Sequence, residues 1–232
     1  MFAILAAVGV AVLAHLAPFP FLLDVTEHTV WRMPRGDVPT VYLTFDDGPN
    51  PAATPLILDA LARHNVRATF FVIDKHLTPD TAPIVQRAAS EGHRIALHWH
   101  SRELMFKNPV YVASVLQEAA ARMELLTGVV PCRAFRPHAG HRSVPMLMGA
   151  AKAGYTVVGW GWMLWDFNWF SARDADDIAP RLVRHASPGD IVVVHDGHHE
   201  DPRADRRYAV EVVDRVVPEL RAKGFEFGTI CG

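Results

Sequence analysis

From residue 41 onward, short runs of β-branched and aromatic residues alternate with longer stretches in which apolar positions recur at helical spacing. Seven runs read as strands: VYLTF (41–45), ATFFVI (68–73), RIALH (94–98), CRAF (132–135), TVVGW (156–160), DIVVVH (190–195) and FEFGTI (225–230). Strands alternating with helices are the signature of repeated βα units, so the pattern predicts an α/β fold with a largely parallel sheet. Thr54 before Pro55 and Asn108 before Pro109 predict helix starts, each with an N-cap followed by a proline in the first turn. Gly92, Gly128, Gly154 and Gly224 fall where helices must stop and turn. No internal repeat and no low-complexity tract interrupts the series. Residues 24–40, with Pro34, Gly36 and Pro39, read as a linker into the domain that follows.

Residues 1–23 contain no Lys, Arg, Asp or Glu, and His15 is their sole titratable side chain. A run of this length can cross a bilayer. It lacks the basic flank of a secretory signal, and Pro18 and Pro20 disturb a helix near its end. Two readings stand: an uncleaved anchor or export signal that puts the protein on the extracytoplasmic side, or a helix packed on the domain of a cytoplasmic protein. The 232 residues, half of them hydrophobic and 21% charged, suit one globular domain beyond this segment. A net charge of -2 gives no long-range attraction for nucleic acid, which is excluded as an expected partner. Cys132 and Cys231 lie far apart without a CxxC pair, which argues against a zinc ribbon. They read as packing residues in preference to a disulfide.

Composition adds one signal, the 13 histidines, several of which fall where the chain leaves the core. Polar residues gather at the carboxyl ends of the strands: Asp46 and Asp47 after the first, His98 after the third, Arg136 after the fourth, His195 after the sixth. A β/α barrel keeps its chemistry on that face. Strand alternation cannot bury both carboxylates of LTFDDGP (43–49) in one core. The pair either caps the following turn or divides a task, one carboxylate holding a cation while the other accepts a proton from water.

TFDDGP (44–49), His98, FRP (135–137), Trp160 with Asp166, and VVHDG (193–197) resemble, in order, the motifs of the NodB-type polysaccharide deacetylases, carbohydrate esterase family 4, over roughly residues 40–230. The resemblance implies an irregular (β/α)7 barrel across residues 41–232, preceded here by the N-terminal hydrophobic helix. It makes Asp46 the general base, Asp47 a metal ligand, and His98 the first histidine of an HxxxH metal motif. The implied cofactor is one divalent cation, zinc, with cobalt or nickel as alternatives; imidazole and carboxylate donors suit all three. The second histidine of that motif is replaced by Arg102, and a guanidinium has no lone pair to give a metal. His100 is a third ligand if the chain is a loop there, and otherwise a pocket or surface residue.

By the same resemblance Arg136 orients Asp46, Asp166 tunes His195, and His195 is the general acid that protonates the departing amine or alkoxide. The family's proline and aromatic after Arg-Pro are His138 and Ala139 here, so His138 and His141 either touch substrate or supply the missing ligand. Trp160, Trp162, Trp165 and Trp169 crowd one loop. Such a cluster is either core or a wall on which the apolar faces of sugars stack, and Trp160, Trp162 and Trp165 are the candidate substrate contacts. The run DGHHEDPRADRR (196–207) is a substrate-binding loop or a solvated turn. The implied reaction is metal-dependent removal of acetyl groups from an N-acetylated or O-acylated oligosaccharide, polysaccharide or glycolipid. A catalytically degenerate sugar-binding protein on the same scaffold and a hydrolase of non-sugar amides are the rival readings.

Overall fold

The computed structural model describes residues 29–161, 164–166 and 174–231. The hydrophobic stretch 1–23, Trp162 and Trp169 lie outside the described residues. All seven predicted strands form: β1 (Thr40–Asp46), β2 (Thr69–Ile73), β3 (Arg94–His98), β4 (Ala134–Arg136), β5 (Thr156–Val157), β6 (Ile191–His195) and β7 (Glu226–Gly228). Between them run α1 (Thr54–Arg63), α2 (Ala82–Ser90), α3 (Pro109–Thr127), α4 (Val144–Lys152), α5 (Ala175–His185) and α6 (Tyr208–Ala222). The sheet order is β5-β4-β3-β2-β1-β6, every pairing is parallel, and β7 joins the start of β1.

The period of two along each strand separates two cores. Leu43, Phe45, Phe70, Val72, Ile95, Leu97, Phe135, Val192 and Val194 belong to the large cluster shared with the helices. The opposite parity, with Phe71, Ala96, Ala134, Val158 and Ile191, fills the inside of the curled sheet. Farther along the same parity come Asp46, His98, Arg136 and His195. The inward face is thus apolar at the base and ionisable at the carboxyl ends, and this gradient puts the chemistry at one mouth of the barrel.

The gap between β5 and β6 is closed by irregular chain. Trp165 bridges Val193 in parallel, and the Val193 N–H donates to the Leu164 carbonyl at 2.7 Å. Val30 bridges Val158 and Arg32 bridges Asp190, so part of the stretch read as a linker packs into the barrel wall. Among the described residues no helix is long and apolar enough to cross a membrane.

Two local expectations change. Cys132 and Cys231 are disulfide-bonded, with Cα atoms 6.3 Å apart, and are not simple packing residues. They converge because Cys132 precedes β4 and Cys231 follows β7, both beside the interior cluster that includes Val30 and Ile230. Sequence separation concealed this. At α1 the N-cap is Ala53 rather than Thr54. The Thr54 hydroxyl accepts from the Asn50 N–H at 2.9 Å and donates to the Asp196 carboxylate at 2.5 Å, which removes it from capping. Asn108 does cap α3, its side-chain oxygen accepting from the Tyr111 N–H at 2.9 Å.

A disulfide spanning 99 residues removes much loop-closure entropy from the unfolded chain, about 4–5 kcal/mol on the chain-entropy account. Cys231→Ser, or reduction, should lower the thermal midpoint by on the order of 10 °C. Calorimetry with and without reductant checks this, and identical midpoints would show that the bond adds no stability.

Candidate active site

β1 delivers Asp46 as its last residue, and β4 ends on Arg136. These strands are not neighbours, so the guanidinium crosses the interior to reach the carboxylate at 2.5 Å. Arg136 is fully buried, and a buried charge is tolerable only when its donors are used. They are used: Nη1 also donates to Thr44 Oγ1 at 2.8 Å, Nη2 to the Gly159 carbonyl at 2.9 Å, and Nε to the Val158 carbonyl at 3.3 Å. The Phe71 ring lies 3.9 Å from the guanidinium carbon. Asp46 is therefore met through one oxygen by a guanidinium whose own orientation is fixed by its other partners.

Asp47 lies beyond the end of β1 and takes φ +73, a left-handed conformation that Asp adopts more readily than most residues. The alternation argument fails here, because the strand has already ended and the turn brings the second carboxylate inward as well. Both are buried, Asp46 at 3% exposure and Asp47 at 5%. The turn is locked: the Asp47 carbonyl accepts from His76 Nδ1 at 3.1 Å, and the Gly48 carbonyl accepts from the Ile73 N–H at 2.9 Å. Gly197 packs so closely that a Cβ there would overlap the Asp47 carbonyl.

His98 ends β3. Its Nδ1 lies 2.8 Å from the Arg136 carbonyl, which can only accept, so Nδ1 carries a proton and Nε2 is the nitrogen available to a metal ion. That Nε2 faces Asp47 Oδ1 at 3.2 Å. The oxygen is buried and has no aligned hydrogen-bond donor. Two donors each ~2.0–2.1 Å from a tetrahedral cation stand about 3.3 Å apart, so the pair fits a shared metal ion. Burial raises the Asp47 carboxyl, but His98, with His195 and His199, more than reverses this and keeps it well below the usual carboxylate range. Among the described residues no group of three His, Cys, Asp or Glu is placed to hold a metal ion, so the two-residue pair is the part of such a site that the structure shows.

His195 ends β6 in register with Asp46 on the adjacent strand. The closing segment brings Asp166 beneath it: one carboxylate oxygen meets His195 Nδ1 at 2.5 Å, and the other accepts from the His195 N–H at 2.7 Å and from the Tyr208 hydroxyl at 2.5 Å. Nδ1–H is thereby committed to Asp166, and Nε2 is outside that pairing. Burial opposes the imidazolium, yet the Asp166 carboxylate, followed by Asp47 and Asp46, outweighs it and lifts His195 to about 9.

A model of the polysaccharide deacetylase family matches residues 32–158. The chain belongs to the polysaccharide deacetylase family. A peptidoglycan-N-acetylglucosamine deacetylase of Bacillus cereus is 29% identical over 90% of this chain and 93% of its own length. A chitooligosaccharide deacetylase of Sinorhizobium fredii is 34% identical over 85% of this chain and 92% of its own. Among solved structures, a peptidoglycan N-acetylglucosamine deacetylase superposes with a TM-score of 0.76 at 29% identity, covering 91% of this chain and 95% of the other. A family 4 acetyl xylan esterase from Clostridium thermocellum, in complex with a cobalt ion, gives 0.72 at 27% identity, covering 82% and 88%.

Measured against the deacetylase motifs, Asp46, Asp47, His98, Arg136, Asp166 and His195 converge at one mouth. Trp160 and Trp165 are partly exposed there, in edge contact with centroids 6.4 Å apart. The charges acting on His100 are instead those of Lys75, Asp74, His76 and Glu103. His138 meets His199, centroids 4.6 Å apart. Burial, then the charges of His98 and His199, push His138 down to about 3. The loop after His195 is tied at both ends, by Arg206 Nε to the Gly197 carbonyl at 2.5 Å and by Asn50 Nδ2 to the Ala204 carbonyl at 2.8 Å. Sequence reasoning missed the supporting roles of Tyr208, Asp196, Gly197 and His76. Asp196 and Gly197 lay within the VVHDG run, whereas Tyr208 carried no local signal.

The sign of the pH dependence follows from His195. As the general acid that the motif resemblance implies, His195 would have to be protonated to act, so a pKa of about 9 would retain the active form through neutrality and lose it above. In Asp166→Asn the raising charge is gone while burial remains, so the alkaline limb of kcat/KM should move to lower pH by more than about one unit. A pH–rate profile in which the limb stays in place would refute the assigned pairing.

Proposed function

We propose that this deacetylase hydrolyses the acetamide of N-acetylated amino sugars in an oligosaccharide or polysaccharide, with one divalent cation as cofactor. The observation that carries the reading is the matched acid and base on adjacent strands, Asp46 oriented by Arg136 and His195 oriented by Asp166. A binding protein has no chemical need for such a pair. Asp47 and His98 would hold the cation, and zinc, cobalt or nickel each suit a carboxylate and an imidazole. When bound, it supplies Lewis-acid polarisation of the acyl carbonyl.

The chain's own groups do the rest. The Asp46 carboxylate takes a proton from the attacking water as its oxygen adds to the acyl carbon. His195 Nε2 donates a proton to the sugar nitrogen as the C–N bond breaks, and acetate and a free amine leave. The guanidinium on Asp46 positions the base, and the carboxylate on His195 keeps the acid charged, the form in which it can donate a proton. Trp160 and Trp165 offer indole faces to the apolar side of a sugar ring. The relatives named for N-acetylglucosamine and chitooligosaccharides support a substrate built on that sugar. An exported or membrane-anchored enzyme is the setting we favour, because disulfides persist in oxidising compartments and residues 1–23 are long and apolar enough to anchor it.

Acetate release from chitooligosaccharides with added zinc or cobalt tests the proposal. Asp46→Asn and His195→Ala should each lower kcat by at least about 100-fold. No release from any acylated glycan, or full activity in Asp46→Asn, would contradict it. Release from simple non-sugar amides at an equal rate would move the substrate assignment to the rival hydrolase.

A further inference from the structure

Trp31 lies in the stretch that sequence patterning assigns to a linker, yet its ring packs on the wall of the barrel mouth. Resting on the sugar-deacetylase reading above, we propose that Trp31 is a positioning residue of the substrate groove: it holds Trp160 in the orientation in which that indole receives a sugar ring.

The backbone splices residues 30–33 into the gap between β5 and β6. The Val30 N–H donates to the Val157 carbonyl, and the Val30 carbonyl accepts from the Gly159 N–H, both at 2.8 Å. On the other flank the Met33 N–H donates to the Gly189 carbonyl at 2.8 Å, and Arg32 pairs with the buried Asp190 carboxylate at 2.5 Å. Trp31 therefore enters on a backbone fixed at both sides. Its indole lies so close to the chain at Gly159 that a Cβ there would overlap the ring. The next residue is Trp160, and the two indoles meet edge to face, with centroids 6.2 Å apart and planes 72° apart. From another side the buried Arg142 guanidinium carbon stands 4.7 Å from the Trp31 ring.

Trp160 in turn touches the catalytic frame. Its ring lies 5.9 Å from the Arg136 guanidinium carbon and 6.4 Å from the Trp165 ring. Trp31 and Trp160 are both half-buried, so the pair forms part of an accessible wall and not of the closed interior. An aromatic platform that is already ordered adds no ordering cost when a sugar stacks on it. Without the Trp31 ring, a gap opens beside Trp160 into which its indole can turn. The acid and base are insulated from that change. Gly159 presents its carbonyl to Arg136 Nη2 at 2.9 Å, and its own N–H is held by the main chain of Val30, which a change of the Trp31 side chain leaves in place. The role therefore falls on binding and not on the chemical step.

The test pairs calorimetric titration of the metal-free full chain with an N-acetylated chitooligosaccharide, which reads binding without turnover, with kcat and KM for acetate release in added zinc or cobalt. Trp31→Ala should weaken binding and raise KM by about 3–10-fold, with kcat changed by less than about 2-fold. Trp31→Phe, which keeps an aromatic edge against Trp160, should recover most of the affinity. Trp31→Leu should shift affinity in the same direction as Trp31→Ala and serves where the smaller side chain does not fold. In a Trp160→Ala background, Trp31→Ala should have no further effect on affinity or KM, because the ring it positions is gone. Wild-type affinity and KM in folded Trp31→Ala or Trp31→Leu, whatever their thermal midpoints, would overturn the positioning role, and so would a loss of affinity as large in the Trp160→Ala background as without it. Either result leaves the deacetylase reading intact. A wild-type chain that releases no acetate from acylated glycans would overturn that reading, and the positioning role with it.

Discussion

The ion pair between Arg136 and Asp46 is the constraint on which the rest of the barrel mouth depends. It crosses the interior between strands that are not neighbours in the sheet, and it is fully removed from water on the arginine side. A desolvated guanidinium demands partners for its N–H groups, so the carbonyls of Val158 and Gly159 and the hydroxyl of Thr44 must all point at it. Those demands fix the chain just after β5, where it must turn to carry Asp166 back to β6. The Phe71 ring stacked on the guanidinium marks the floor where the apolar interior gives way to the ionisable mouth.

The two proposed proton-transfer groups each pair with an opposite charge. Asp46 lies against the Arg136 guanidinium, and His195 lies against the Asp166 carboxylate, which lifts the imidazolium although burial opposes it. Asp47 completes the set only because the backbone turns left-handed immediately after the strand. That conformation costs on the order of 1–3 kcal/mol, and hydrogen bonds from His76 and Ile73 to the turn, with Gly197 packed against it, hold it in place. Lock and catalytic pair come from different loops, which is why the motif residues are scattered along the chain yet meet at one mouth.

Much of this was legible in the sequence. Runs of β-branched and aromatic residues between helical-period stretches identified the seven strands, and their carboxyl ends predicted where Asp46, His98, Arg136 and His195 would gather. What stayed hidden depends on contacts between distant segments. The Cys132–Cys231 bond requires the start of β4 to meet the chain after β7. The Thr54 hydroxyl left its expected cap for a carboxylate 142 residues away. Tyr208 supports Asp166 from the first turn of α6, a position that no motif spacing singles out. The inward turn of Asp47 overrode strand alternation, and the meeting of His138 with His199 arises from two loops whose lengths alone do not fix it.

The most direct test of the central claim replaces Arg136 with Met, alone and together with Asp46→Asn, and follows both unfolding free energy and acetate release. Alone, Arg136→Met leaves an uncompensated buried carboxylate and should cost about 3–5 kcal/mol while abolishing turnover. The double variant removes both charges and should recover part of that stability without recovering activity. Wild-type acetate release by Arg136→Met would contradict the claim that this ion pair holds the catalytic base.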